Sequence, residues 1–159
     1  VYEDAKTLAA EPDVRAQTQR SVRAQVGQPR LGALLREARE QLAAKHLQRA
    51  RDLLDQAATL PGEPAERADA MSLRAECALL SGEHGDAIEI YLKVARRFGK
   101  LQAGENALFA AARLEAERDR RAAASQLLER YLQRYPRGRF VKEAQARART
   151  LSVALDREP

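Results

Sequence analysis

The sequence predicts an all-α fold, an α-solenoid of antiparallel helix pairs with about three repeats and a C-terminal capping helix. Three observations carry this. The composition favours helix: 32 of 159 residues are Ala, apolar residues make up 45% and aromatics only 4%, with no Trp. Ala and Leu are the best helix formers, and β-branched residues, which lose rotamer freedom in a helix, are sparse. Second, side-chain size repeats every 37 positions. Third, each 37-residue unit holds two stretches with apolar residues at helical spacing, separated by a polar break.

The repeat is a joint alignment of small, large and breaker positions. Ala38, Ala75 and Ala112 are one set, and Ala50, Ala87 and Ala124 another. Leu34, Met71 and Leu108 align, as do Leu53, Ile90 and Leu127, and Leu54, Tyr91 and Leu128. Pro61, Phe98 and Tyr135 close the units, followed by Gly62, Gly99 and Pro136. The small residues have a physical role. Two helices that cross closely need short side chains at the contact, so the two Ala sets should meet and the Leu positions fill the space beside them.

Residues 1–30 do not follow the period and read as an N-terminal helical extension or linker. Glu11-Pro12-Asp13 can start a helix running to about Gln25, with a thin stripe of Val14, Val22 and Val26, and Pro29 ends it. The first repeat runs over about 31–62, with its turn near Lys45-His46. The second spans about 65–99: Pro64 opens its first helix, where a missing N–H does no harm, and Ser81-Gly82-Glu83-His84-Gly85 breaks the pattern. Ala87, Tyr91, Val94, Ala95 and Phe98 then form the next stripe until Gly99. The third spans about 104–136, with helices from about Glu105 to Arg118 and from about Arg121 to Tyr135. A last amphipathic helix over 139–155 carries Phe140, Val141, Ala144, Ala148 and Leu151 on its apolar side. It reads as a cap over the open end of the stack, so the repeat domain covers 31–159. Beginning at Val1, the chain reads as a fragment.

Net charge is +5 and the sequence pI is about 9.7, which raises the question of a nucleic-acid partner. The distribution argues against one. Residues 1–136 carry 22 basic and 20 acidic side chains, and the excess sits in the last segment, with 6 basic against 3 acidic. A basic nucleic-acid-binding or regulatory helical domain, using Arg139, Lys142, Arg147 and Arg149, is the alternative. A solvated capping face is the preferred reading of those residues. No apolar run approaches the ~18 residues a membrane span needs, so membrane contact is expected only through flanking segments.

Catalytic chemistry finds no residue set. The single Cys77 lies in an Ala/Leu-rich stretch and reads as a small buried residue. His46 and His84 lie at turns about one repeat apart, with no further His or Cys at ligand spacing, so no metal site is expected. No Ser sits in a Gly-x-Ser-x-Gly elbow, no Gly-rich loop can cradle a phosphate, and the carboxylates lie in mixed-charge helical faces such as 115–121. The expectation is a non-catalytic chain without a cofactor.

The second unit carries a family resemblance. A small residue, a turn, then Ala with a large apolar residue four positions later, as in Ala75, Gly82, Ala87, Ile88 and Tyr91, resembles the tetratricopeptide repeat. The family's usual Trp and Gly in the first helix are absent, and its usual repeat is shorter. The longer spacing and the close Leu127-Leu128-Glu129-Arg130-Tyr131-Leu132-Gln133-Arg134-Tyr135-Pro136 resemble bacterial envelope members of the outer-membrane assembly and Tol-Pal accessory type. The resemblance covers about residues 31–155. It implies a protein–protein interaction module, periplasmic or envelope-associated, whose first helices line a concave groove for a partner helix or extended peptide. Carried onto this sequence, the groove positions are Leu35, Ser72 and Phe109, then Arg39, Glu76 and Arg113, then Leu42, Leu79 and Ala116. Phe109 is the preferred anchor, with Arg39 and Arg113 pairing to partner acids. The competing reading packs Leu35, Leu42, Leu79 and Phe109 into the core between repeats. Self-association through a free repeat end or residues 1–30 is a further expectation.

Overall fold

The computed structural model describes residues 30–155, and among them every regular element is helical. The helix expected over about 11–25 lies outside the described residues. The elements are α1 (Leu31–Ala43), α2 (Leu47–Thr59), α3 (Pro64–Leu80), α4 (His84–Arg97), α5 (Gln102–Glu117), α6 (Arg121–Arg134) and α7 (Val141–Leu155). Each helix packs on the next, and α1 and α5 also touch α3.

The 37-residue period reappears in the backbone of three turns. Lys45, Gly82 and Asp119 all adopt left-handed conformations, with φ of 60°, 80° and 57°. The N–H groups of His46, Glu83 and Arg120 donate to the carbonyls of Gln41, Ala78 and Glu115, each at 2.9 Å. Those of Lys45, Gly82 and Asp119 donate to Leu42, Leu79 and Ala116, each at 3.0 Å. This pair of bonds is the Schellman motif, which satisfies the last carbonyls of one helix while reversing the chain. The next helix starts at once: the carbonyls of His46, Glu83 and Arg120 accept from the N–H groups of Ala50, Ala87 and Ala124 at 3.0 Å. So α1–α2, α3–α4 and α5–α6 are three hairpins built on one turn.

The six repeating Ala residues, 38, 75, 112, 50, 87 and 124, are all 0% exposed. Full burial is what a close helix–helix contact requires of such residues. Pro64 opens α3 as expected, reinforced by a capping box in which Glu63 and Glu66 each take the other's backbone N–H. Two helix starts differ. α5 begins at Gln102 rather than near Glu105 because Gly104 lies inside its first turn. A Cβ there would run into the Phe98 carbonyl oxygen and come within 2.7 Å of the Gly99 Cα. Glycine acts here as a close-approach residue and not as a breaker. The last helix likewise starts at Val141 instead of 139.

The core divides in two. One cluster belongs to α1 and α2, with Leu31, Leu34, Leu35, Leu42, Leu53 and Leu54, and includes Leu73 and Cys77 from α3. The other runs from Ala68 and Ala78 on α3 through α4, α5 and α6 to Ala144 on α7. α3 is therefore buried on two sides, and a seam between cores runs along it.

Four of the seven aromatics gather where α5, α6 and the segment before α7 meet. Phe109 stacks on Phe140 at 4.5 Å between ring centroids, and Tyr131 lies 5.6 Å from Phe109 and 5.4 Å from Tyr135. Tyr131 also ties the segment before α7 in place. Its hydroxyl donates to Glu105 Oε1 at 2.6 Å and accepts the Phe140 N–H at 2.9 Å, while the Arg139 N–H also donates to Glu105 Oε1 at 2.6 Å. The link from α6 to α7 thus hangs on the first turn of α5.

Candidate functional site

The predicted groove positions divide into buried and exposed sets. Leu35, Leu42 and Phe109 are 2%, 5% and 4% exposed. They are core residues, and their assignment to a partner-binding surface is corrected here. Phe109 is covered because Phe140, delivered by the link after α6, stacks flat on its ring. Leu79 is half-buried against the larger cluster. The two arginines expected to grip partner acids are engaged within the chain. Arg39 on α1 pairs with Asp69 on α3, and Arg113 pairs with Glu117 one turn along α5 at 3.3 Å.

Ser72 and Glu76, by contrast, line a real cleft between α3 and α5. Its volume is about 330 Å³. Asp69, Ser72, Leu73 and Glu76 line it from α3, and Ala103, Asn106, Ala107 and Ala110 from α5, with Tyr91 reaching in from α4. The cleft exists because α5 presents three alanines there, side chains too short to fill the space between the helices. Ser72 Oγ turns back to the Ala68 carbonyl at 2.8 Å, which leaves its lone pairs as acceptors.

Electrostatics in the cleft centre on Tyr91. Burial pushes its phenol above the ordinary value, the nearby Glu76 carboxylate adds to the rise, and Arg113 opposes it. The hydroxyl is therefore protonated at neutral pH and feels both a carboxylate and a guanidinium. Glu76 is exposed and makes no ion pair among the described residues. With Arg39 and Arg113 neutralised by their own neighbours, the charge this cleft offers a visitor is negative.

Sequence reasoning missed Asp69, Tyr91 and Asn106 as cleft residues. A signal existed for Tyr91: it stands in register with Leu54 and Leu128, which are 2% and 1% exposed. A polar-tipped ring where the other units hold Leu marks a place where the position is not sealed.

The remaining candidates fall into structural roles. Cys77 is buried, with its thiol 3.5 Å from the Leu47 carbonyl, as read from the sequence. The two histidines are offset by one position. His46 matches Glu83 and Arg120 and contacts Gln41 at 3.0 Å, whereas His84 is the first residue of α4, with Nδ1 2.8 Å from the Gly82 carbonyl. No group of three potential metal ligands comes together among the described residues. On α7 and its approach, Arg147 pairs with Glu143 at 2.9 Å and the Arg139 guanidinium lies 5.4 Å from the Phe140 ring centroid, while Arg137, Arg139, Lys142 and Arg149 are exposed. No described helix is long and apolar enough to cross a membrane. Protein-family models, curated proteins and solved structures give no match to this chain.

Proposed function

We propose that the chain is a tetratricopeptide-like interaction module, a solenoid of three helical hairpins with α7 as its cap. On this reading it captures a partner helix or extended peptide in the α3–α5 cleft and performs no catalysis. The observation that supports this most directly is the cleft itself. Two first helices hold open a trough floored by Ala103, Ala107 and Ala110, with Glu76, Asn106 and the Tyr91 hydroxyl on its walls. A trough with an apolar floor and a few convergent polar groups is suited to a side chain carried on another backbone. The negative charge at Glu76 favours a partner with Lys or Arg at the point of entry.

The test places a photo-crosslinking amino acid at Asn106 and, as a remote control, at Glu129 on α6. A partner that crosslinks at 106 and not at 129, and is lost when Glu76→Arg is introduced, supports the reading. Identical recovery from the two positions, or indifference to Glu76→Arg, removes the cleft assignment. Light scattering over a concentration range tests the further proposal that the partner is a second copy of the chain.

A further inference from the structure

The seam between the two cores opens on another surface, away from the α3–α5 cleft. A hollow of about 170 Å³ between α2 and α3 is lined by Leu31, Leu54, Ala57, Ala58, Leu60 and Met71, with Arg67, Arg74 and Arg97 at its edge. It adjoins a second hollow of about 370 Å³ lined by Met71, Lys93, Arg96 and Arg97. The two share Met71 and Arg97, so they form one surface: an apolar strip bordered by five cations. Met71 holds the position where the first and third units bury Leu34 and Leu108, and it is itself only partly covered.

Few of these charges are neutralised. Arg74 pairs with Asp55 at 2.8 Å, and the Arg97 guanidinium rests 5.4 Å from the Phe98 ring centroid. Arg67, Lys93 and Arg96 are exposed and make no ion pair among the described residues. Toward the start of α4 the strip adjoins a further hollow, which Glu83, Asp86 and Glu89 line together with Leu54, Met71, Arg74 and Lys93. Glu83 there is taken by Arg51 at 2.7 Å, so the cationic character is concentrated at Arg67, Arg96 and Arg97. A structural role explains part of the patch, since Arg96 and Arg97 stand in the last turn of α4, where cations complement the helix dipole. It does not explain Arg67, which lies at the start of α3, the end where the dipole disfavours a cation.

We infer that this strip is a second binding site, for an acidic amphipathic peptide segment whose apolar side chains enter beside Met71 while its carboxylates meet Arg67, Lys93, Arg96 and Arg97. The combination selects the occupant. A nucleic-acid backbone would use the cations and leave the Leu54, Ala58, Leu60 and Met71 floor empty. A purely apolar helix would leave the cations unpaired. Methionine is polarizable and adaptable, which suits a surface that repacks around an incoming side chain.

Fluorescence anisotropy on the full chain tests this with three labelled probes. They are a 16-residue peptide with Leu and Phe anchors flanked by Glu, the same peptide with its anchors replaced by Ser, and a single-stranded DNA of about 20 nucleotides. The anchored acidic peptide should bind saturably, at least tenfold more tightly than the Ser control or the DNA. The exposed double variant Lys93→Glu/Arg96→Glu should weaken it at least tenfold, and so should Ala58→Glu, which places a carboxylate on the apolar floor at an exposed position. Both variants should keep the parent's helical circular dichroism. Glu76→Arg, in the other cleft, should leave this affinity unchanged, so the two sites fail or succeed separately. No saturable binding, equal binding of the Ser control, DNA binding as tight as the peptide, or an affinity untouched by both variants would each overturn the inference.

Discussion

Tyr131 is 0% exposed and joins three parts of the chain through one hydroxyl, which donates to Glu105 and accepts from the Phe140 N–H. Tyr131→Phe keeps the ring packing but leaves that N–H without its acceptor. A lost partner of this kind costs about 1–3 kcal/mol, to be read from urea unfolding. Burial, with the Glu105 hydrogen bond second, pushes the phenol up to about 12, and the sign of the pH effect follows. Below pH ~10 both folded and unfolded chains hold the proton and the contribution is complete. Between there and about 12 the unfolded chain ionises first, so stability falls as pH rises. The Phe variant should show a shallower alkaline decline than the parent, though Tyr91 and Tyr135, also shifted upward, keep some slope. An unchanged decline would mean that Tyr131 ionises as freely in the folded chain as in the unfolded one. The Ala positions make the complementary case. Ala87 is 0% exposed, and Ala87→Leu should cost about 1–3 kcal/mol by overpacking, measured by thermal unfolding. The alanines were legible in the sequence because size at a crossing is a local requirement that returns at a fixed interval. Phe109 was not, because what covers it is Phe140, thirty-one residues away, and no periodicity encodes that pairing.

At the scale of elements, the three hairpin turns share one geometry but not one residue type. Gly82 fits its left-handed conformation without strain, whereas Lys45 and Asp119 adopt the same conformation with a Cβ, at a cost of roughly 1–2 kcal/mol. The sequence therefore advertised the middle turn and concealed the identity of the outer two. Only their position, 37 residues either side of Gly82, gave them away. Lys45→Gly should stabilise the chain by about 0.5–1 kcal/mol, the strain relieved less the extra freedom glycine gives the unfolded state. A drop in stability would show that Lys45 holds the turn by something other than its backbone. Side chains across these turns repeat in part as well. Glu115, 8% exposed, takes Arg120, and Gln41 meets His46 at the equivalent positions. In the middle unit the corresponding residue is Ala78, which frees Glu83 to reach Arg51 on the preceding hairpin at 2.7 Å. The cleft between α3 and α5 was half legible for a similar reason. Helical register named Ser72 and Glu76, but the trough between them and α5 depends on which side chains are short, and on Tyr91 arriving from a third helix.

Across the whole molecule, the division of the core predicts uneven stability. The α1–α2 hairpin has its own apolar cluster and shares with the rest only what α3 contributes, chiefly Leu73 and Cys77. Three ion pairs also cross the seam: Arg39–Asp69, Arg74–Asp55 and Arg51–Glu83. Each has both side chains more than a third exposed, a setting in which a pair is worth about 0–1 kcal/mol and weakens with salt. The hairpins α3–α4 and α5–α6, by contrast, are joined by one continuous cluster that extends to α7. Packed hairpins joined this unevenly open at their weakest interface. Amide hydrogen exchange should therefore show α1 and α2 exchanging at least ~tenfold faster than α5 and α6. Raising sodium chloride toward 1 M, where the Debye length falls to about 3 Å, should widen that gap by accelerating the first hairpin alone. Equal protection across all three hairpins, or acceleration by salt throughout, would mean that the seam along α3 does not divide the molecule mechanically. The same opening bears on function, because the apolar strip beside Met71 lies on that seam. An acidic segment seated there would bridge α2, α3 and α4 and should restore protection to α1 and α2 to the extent that it binds.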